Sequence, residues 1–232
     1  AASVRRRLVE QKLSKYNLYA HDDLHFPKEK TVVLVPGQVE DDASIRFGAP
    51  GMTNLELLRQ ARDNCPEAYI VYKPHPDVLV GNRAGQVGEA EALRYADRVV
   101  TEVSLDSVLA HADEVHTMTS LVGFEALMRG KKVTTYGLPF YAGWGLTSDR
   151  YLCDRRTRQL GLDELVAGAL LLYPRYLDPE TKRPCEIEVV LDAIAAEKAR
   201  SQRSDAFRGL KYVRTIIARK TQIVFRLFNQ LV

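Results

Sequence analysis

At 232 residues, 46% hydrophobic and 27% charged, the chain has the makeup of a globular protein, long enough for one large domain or a domain and a half. No run of about 18 apolar residues reads as a membrane span, and the basic, amphipathic opening AASVRRRLVEQKL lacks the apolar stretch of a signal peptide. The net charge of +3 is unevenly spread: residues 198–232 hold nine Lys/Arg against one Asp (+8), and the remainder 24 basic against 29 acidic residues (−5). Three cysteines, Cys65, Cys153 and Cys185, stand far apart with no metal or redox spacing. So sparse and odd a count points to a reducing compartment, with the cytoplasm as the default.

In chain order, residues 2–15 read as a helix with a basic outer face, followed by a linker over 16–30 that holds His21 and His25. Such an opening resembles the last helix of something upstream and suggests a piece of a longer protein. Residues 31–36 (TVVLVP) form a short buried strand by their β-branched content. A helix over 53–64 begins with Thr53 and has Glu56 three positions on, a capping box. The strand at 68–73 (AYIVYK) ends at PHPD. After a charged stretch at 81–97 come a short strand near 98–102, a helix at 105–111 and a strand at 113–117. A helix then starts at Thr119 or Ser120 and stops at Gly130, with Leu121, Phe124, Leu127 and Met128 at inward spacing. Another strand follows, then a loop at 137–147 whose small residues would let backbone approach a ligand while Tyr141 and Trp144 offer faces. Helices at 162–173 and 186–200 flank a Pro-marked turn. The segment 205–232 is an amphipathic helix with a basic face, suited to an anionic membrane surface or to a partner.

Strand–helix alternation of this kind predicts an α/β fold, a Rossmann-like parallel sheet with flanking helices. Ligands collect beyond the carboxyl ends of such strands. Four segments fall there: Gln38–Ser44, Lys73–Asp77, Met118–Ser120 and the 137–147 loop. Neither GxGxxG nor GxxxxGK[ST] is present, which argues against a dinucleotide or Walker-type site. Asp42 stands at the ligand edge, with Gln38 four residues earlier able to orient a substrate or the carboxylate itself. With no second acidic cluster in the sequence, Asp42 ranks as nucleophile above metal ligand, with Glu40 and Asp41 as rivals. His75, held between Pro74 and Pro76 and near Lys73, suits the stabilisation of a departing phosphate. Ser120 and the helix start behind it form an anion site, and Glu125 falls in the second turn. His111 and His116 lack any such context and read as structural.

With KPHPDV, TSLVGFEAL and YAGWGLTSDR in view, the chain resembles the KpsC-type capsule polysaccharide β-Kdo transferases of Gram-negative bacteria. The match runs from about Leu13 to about Glu180, roughly three-quarters of the chain, with motif order and spacing kept. The resemblance implies the nucleotide-sugar-binding half of a GT-B-like glycosyltransferase, with C-terminal helices added. It implies a retaining enzyme that uses CMP-β-Kdo to build a Kdo linker on a lysophosphatidylglycerol acceptor at the cytoplasmic face of the inner membrane. Residue by residue, it makes Asp42 the nucleophile, with Gln38 from the same motif, and turns His75 toward the CMP phosphate. Ser120 would hold that phosphate and Glu125 would accept from ribose hydroxyls. Lys73, Pro76, Thr119 and Gly123 go with them as residues around the CMP moiety. The acceptor half of the family lies upstream of the segment matched here. No metal and no resident cofactor are implied, and nucleic acid is not among the partners. Those are a CMP-sugar donor, a glycolipid acceptor, the membrane surface through 205–232 and a capsule assembly complex. On this basis the chain divides into 1–30, a CMP-sugar-binding domain at 31–160, helices at 161–204 packing on it, and the basic helix. The competing expectation is a non-catalytic module that docks a capsule complex on the membrane.

Overall fold

The computed structural model describes residues 1–12, 24–81 and 83–203, so His21 and the expected basic helix at 205–232 lie outside the described residues. Helix α1 (Ala2–Glu10) precedes strand β1 (Val32–Pro36), all five residues of which are buried. Val32 and Leu34 enter one apolar core and Val33 and Val35 the other. A strand covered on both faces has no polar side to alternate with, which is why it reads as a continuous apolar run.

A short helix, α2 (Ala43–Gly48), follows β1, an element not among those expected from the sequence. Helix α3 (Asn54–Asn64) starts as expected, Thr53 Oγ1 accepting from the Glu56 amide at 3.1 Å. The capping box is only half formed, because the Glu56 carboxylate turns forward to Arg59 and Gln60. Then come β2 (Tyr69–Lys73), α4 (Pro76–Leu79), α5 (Glu89–Ala92), β3 (Arg98–Val99), α6 (Leu105–His111) and β4 (Glu114–Thr117). They are followed by α7 (Leu121–Met128), β5 (Lys132–Thr135), β6 (Ser148–Asp149) and α8 (Leu162–Ala167), which continues as a π-helical turn over Gly168–Leu172.

The six strands form one sheet in the order β3-β2-β1-β4-β5-β6, and every pairing in it is parallel. Helices α6, α7 and α8 cover one face, through Val108, Leu109, Phe124, Leu127, Leu165 and Val166. Helix α3 covers the other, through Leu57, Leu58 and Ala61. Two compact units are distinguishable, Ala1–Pro174 and a second beginning at Arg175. In the second, β7 (Tyr176–Leu177) and β8 (Pro184–Cys185) pair antiparallel ahead of α9 (Ile187–Arg203). Among the described residues no helix is long and apolar enough to cross a membrane.

Helix α7 ends as its sequence predicts: the Gly130 amide donates to the Leu127 carbonyl and the Lys131 amide to that of Ala126, closing the last turn. Its inward face differs from expectation at one position. Phe124, Ala126, Leu127 and Met128 are buried, but Leu121 is 47% exposed. The first turn of α7 stands at the rim of the cleft beyond the strand ends, where no layer among the described residues covers Leu121.

Candidate functional site

The chain leaves β1 toward β2 on one side and, after β3, places β4 on the other side of β1. Order reverses there, and an open parallel sheet has a crevice beyond its carboxyl ends at such a point. The crevice here is about 360 Å³, lined by the ends of β1, β2 and β4 and by the first residues of α6 and α7.

Gln38 fastens this point. Its Oε1 accepts from the Thr119 amide (3.0 Å) and the Thr117 hydroxyl (3.2 Å), and its Nε2 donates to Thr119 Oγ1 (3.0 Å). Asn54, 1% exposed, holds the same residue by its backbone: Asn54 Oδ1 accepts from the Gln38 amide and Asn54 Nδ2 donates to the Gln38 carbonyl. The Gln38 side chain therefore ties the β1 and β4 ends together and makes no hydrogen bond to Asp42. Between β1 and β2 the approach is closer still. A Cβ on Gly37 would lie 2.8 Å from Tyr72 Oη and 3.1 Å from Pro74 Cα, so only glycine fits beside the PHP loop.

The three acidic rivals separate. Glu40 Oε1 accepts from the Asn54 amide at 2.7 Å, and Asp41 pairs with Arg83 at 3.0 Å. Neither lines the cleft, whereas Asp42 does. Asp42 also caps α2, its Oδ1 accepting from the Ser44 amide (2.9 Å) and the Ser44 hydroxyl (2.7 Å), which fixes the orientation of the carboxylate. Across the cleft His75 caps α4: its Nδ1 accepts from the Asp77 amide at 3.1 Å. An imidazole that accepts at Nδ1 carries its proton on Nε2 when neutral, and so is a donor at that nitrogen.

Ser120 caps α7 by accepting from the Val122 amide at 3.2 Å, and the helix directs its N-terminal amides into the same space. Glu125, 8% exposed, lines the cleft one turn further on, with Arg129 4.0 Å from its carboxylate. Lys73, also 8% exposed, donates from Nζ to the Val103 carbonyl at 2.6 Å. Burial lowers the pKa of Lys73 from 10.5 to about 8.

This shift has a definite sign in stability. Below about pH 8 folded and unfolded chains both keep the Lys73 proton, and the fold bears the full cost of a buried charge. Between about 8 and 10.5 the folded chain gives up that proton first, so this residue's contribution to stability rises with pH. Urea unfolding from pH 7.5 to 10 is expected to show this rising component in the native chain and to lose it in Lys73→Met.

Of the residues picked from the sequence, Asp42, Gln38, His75, Lys73, Pro76, Thr119, Ser120 and Glu125 all line this cleft. Gly123 does not. A Cβ there would fall 2.2 Å from Tyr141 Oη, so the glycine makes room for the tyrosine ring. The 137–147 loop is likewise absent from the cleft wall, contrary to expectation. Its aromatic residues are used in packing: Tyr141 is fully buried and donates to the Ser120 carbonyl, and Trp144 donates to the Phe140 carbonyl under the Arg156 guanidinium. The loop thus braces α7 from behind. A second cleft of about 360 Å³ lies at 143–157, but there Gly143 donates to Asp149, and Arg156 to the Pro139 and Ala142 carbonyls, so those groups are engaged in shaping the loop. Sequence reasoning missed Asn54, Arg83 and Leu105, none of which stands in a recognisable motif.

Fold and crevice define the class: a Rossmann-like α/β protein with a polar cleft at its switch point. The chain belongs to the capsule polysaccharide biosynthesis protein family, which it matches over residues 1–176. It is 51% identical over 199 residues to the capsule polysaccharide modification protein LipA of Neisseria meningitidis serogroup B, covering 85% of this chain and 28% of that protein. It is 46% identical to the lipopolysaccharide-processing protein LpsZ of Rhizobium meliloti, over 80% of this chain and 43% of the relative. Among solved structures it is similar to the β-Kdo 2,7 transferase of Thermosulfurimonas dismutans KpsC, at 42% identity and a TM-score of 0.71. The β-Kdo 2,4 transferase of the same KpsC gives 36% and 0.72. These matches cover 85% and 84% of this chain and 61% of each neighbour. The chain thus spans less than half the length of these two relatives and about three-fifths of the two solved neighbours.

Proposed function

We propose that this chain is the donor-binding part of a retaining β-Kdo transferase of GT-B-like architecture, acting in capsule polysaccharide biosynthesis. The observation that carries this reading is the meeting of Asp42, His75, Lys73, Ser120 and Glu125 around one cleft at the switch point. Kinship with Kdo transferases supports the sugar. The donor is CMP-β-Kdo, with the CMP phosphate at the α7 N-terminus beside Ser120 and the Nε2–H of His75, and Glu125 accepting from the ribose hydroxyls. Lys73 adds positive charge beneath. A leaving phosphomonoester stabilised by oriented donors, a lysine and a helix dipole needs no divalent cation.

Retention takes two inversions. The Asp42 carboxylate attacks the anomeric carbon as the bond to the CMP oxygen breaks, and CMP departs with that electron pair. An acceptor hydroxyl then attacks the same carbon, the bond to Asp42 breaks with its electron pair returning to the carboxylate, and the hydroxyl proton passes to solvent as the linkage is completed. The acceptor we assign is lysophosphatidylglycerol at the inner membrane, with 205–232 as the membrane contact.

CMP at about a hundredfold excess over its dissociation constant is expected to raise the melting temperature by about 5–10 °C. His75→Ala and Ser120→Ala are each expected to remove most of that shift, and UDP is expected to give little. No shift at millimolar CMP would end the donor-site reading.

A further inference from the structure

The sheet face that packs on α3 carries a side-chain cluster remote in role from the transfer chemistry. Cys65 follows the last turn of α3, and its Sγ lies 3.8 Å from His116 Nε2. The same nitrogen is 3.0 Å from Glu114 Oε1. One sulfur, one nitrogen and one oxygen thus lie within 4.8 Å of one another. Ligands at tetrahedral angles around zinc, with bonds of about 2.0–2.3 Å, stand about 3.3–3.6 Å apart. The cluster is within a few tenths of an ångström of that at two of its edges.

The surroundings aim these atoms. His116 is 1% exposed, and its Nδ1 is 2.9 Å from the Tyr136 hydroxyl. That hydroxyl accepts from Asn64 Nδ2 at 2.8 Å, and Asn64 is oriented in turn by Arg150, which donates to its Oδ1. Thr134 Oγ1 donates to Glu114 Oε1 at 2.8 Å. Partners of this kind, on the far nitrogen of a histidine and on a carboxylate, set ligand orientation in metal sites. A satisfied core histidine would account for His116 and Glu114, but not for a thiol presented to the same nitrogen.

We propose that Cys65, Glu114 and His116 bind a thiophilic divalent cation, zinc, with water in the fourth position. A thiolate disfavours magnesium and calcium, and the sulfur–nitrogen–oxygen set suits zinc. Burial and the Glu114 carboxylate raise the Cys65 pKa, so without a metal the group is an inert thiol rather than a nucleophile. On binding, the thiol proton leaves to solvent and the imidazole proton moves from Nε2 to Nδ1, where it meets the Tyr136 oxygen. The ion would staple the end of α3 to β4, joining residues 51 apart in sequence.

The test is zinc and cobalt titration of the full chain after chelator treatment. One ion per chain is expected, with a thiolate-to-cobalt charge-transfer band. Cys65→Ser should lose the band and weaken zinc by at least about tenfold, while Cys153→Ser keeps both. Absence of stoichiometric binding at tens of micromolar zinc, or equal affinity in Cys65→Ser, would overturn the proposal. Should Cys65→Ser not fold, Glu114→Gln takes its place: it should keep the band and weaken zinc by about tenfold or more, and unchanged affinity overturns the proposal.

Discussion

Asp42→Ala is expected to reduce CMP release from CMP-Kdo by a factor on the order of 10⁴, the scale seen when a nucleophile is removed from a preorganised site. CMP affinity should change by no more than about threefold, because in the proposed mechanism the carboxylate acts on the sugar carbon and not on the nucleotide. The native chain incubated with donor should also show a glycosyl adduct on Asp42 by peptide mass spectrometry, absent from the variant. Glu40→Gln and Asp41→Asn serve as controls. Their carboxylates are engaged by the Asn54 amide and by Arg83, and neither Glu40 nor Asp41 is part of the cleft wall, although Arg83 is. Turnover retained in Asp42→Ala would move the nucleophile elsewhere and remove the retaining mechanism as drawn.

Gly123→Ala carries the second large effect. The new methyl would sit 2.2 Å from Tyr141 Oη and 2.7 Å from its Cζ. Tyr141 cannot retreat: it is fully buried, its ring contacts Phe124 and Phe140, and its hydroxyl donates to the Ser120 carbonyl. Overpacking of about 1–3 kcal/mol plus a lost buried hydrogen bond of about 1 kcal/mol gives a loss of about 2–4 kcal/mol. That corresponds to a melting temperature lower by about 5–12 °C. CMP binding should fall as well, since the strain is delivered to the turn that presents Ser120. Tyr141→Phe in the Gly123→Ala background should recover part of the loss. An unchanged melting temperature in Gly123→Ala would mean that the tyrosine ring does not brace α7.

Much of the fold was legible because the signals are local. The β-branched run at 32–36 and the Ser120 and Gly130 boundaries of α7 fix their elements through backbone preference and capping, which a sequence displays directly. The cleft was legible for a related reason: in a parallel sheet the residues after each strand face one edge, so Gln38, Asp42, His75 and Ser120 had to come near one another. What failed depends on contacts distant in sequence. The 137–147 loop has the composition of a ligand loop, yet its aromatics pack on Phe124 and its carbonyls accept from Arg156. Small and aromatic residues serve a binding surface and a tight brace equally well. Asn54 was invisible because it looks like any polar residue beside a helix cap, and only the fold brings it to both backbone groups of Gln38. The same holds for Cys65 and His116, which no spacing rule connects.

The most direct test of the donor-cleft account is a titration of the ¹⁵N-labelled chain with CMP, followed amide by amide. The account predicts saturable shifts confined to 37–44, 73–77 and 119–125, with the cleft at 143–157 unmoved. Saturating CMP that leaves those three segments unchanged, or that perturbs 143–157 instead, would contradict it.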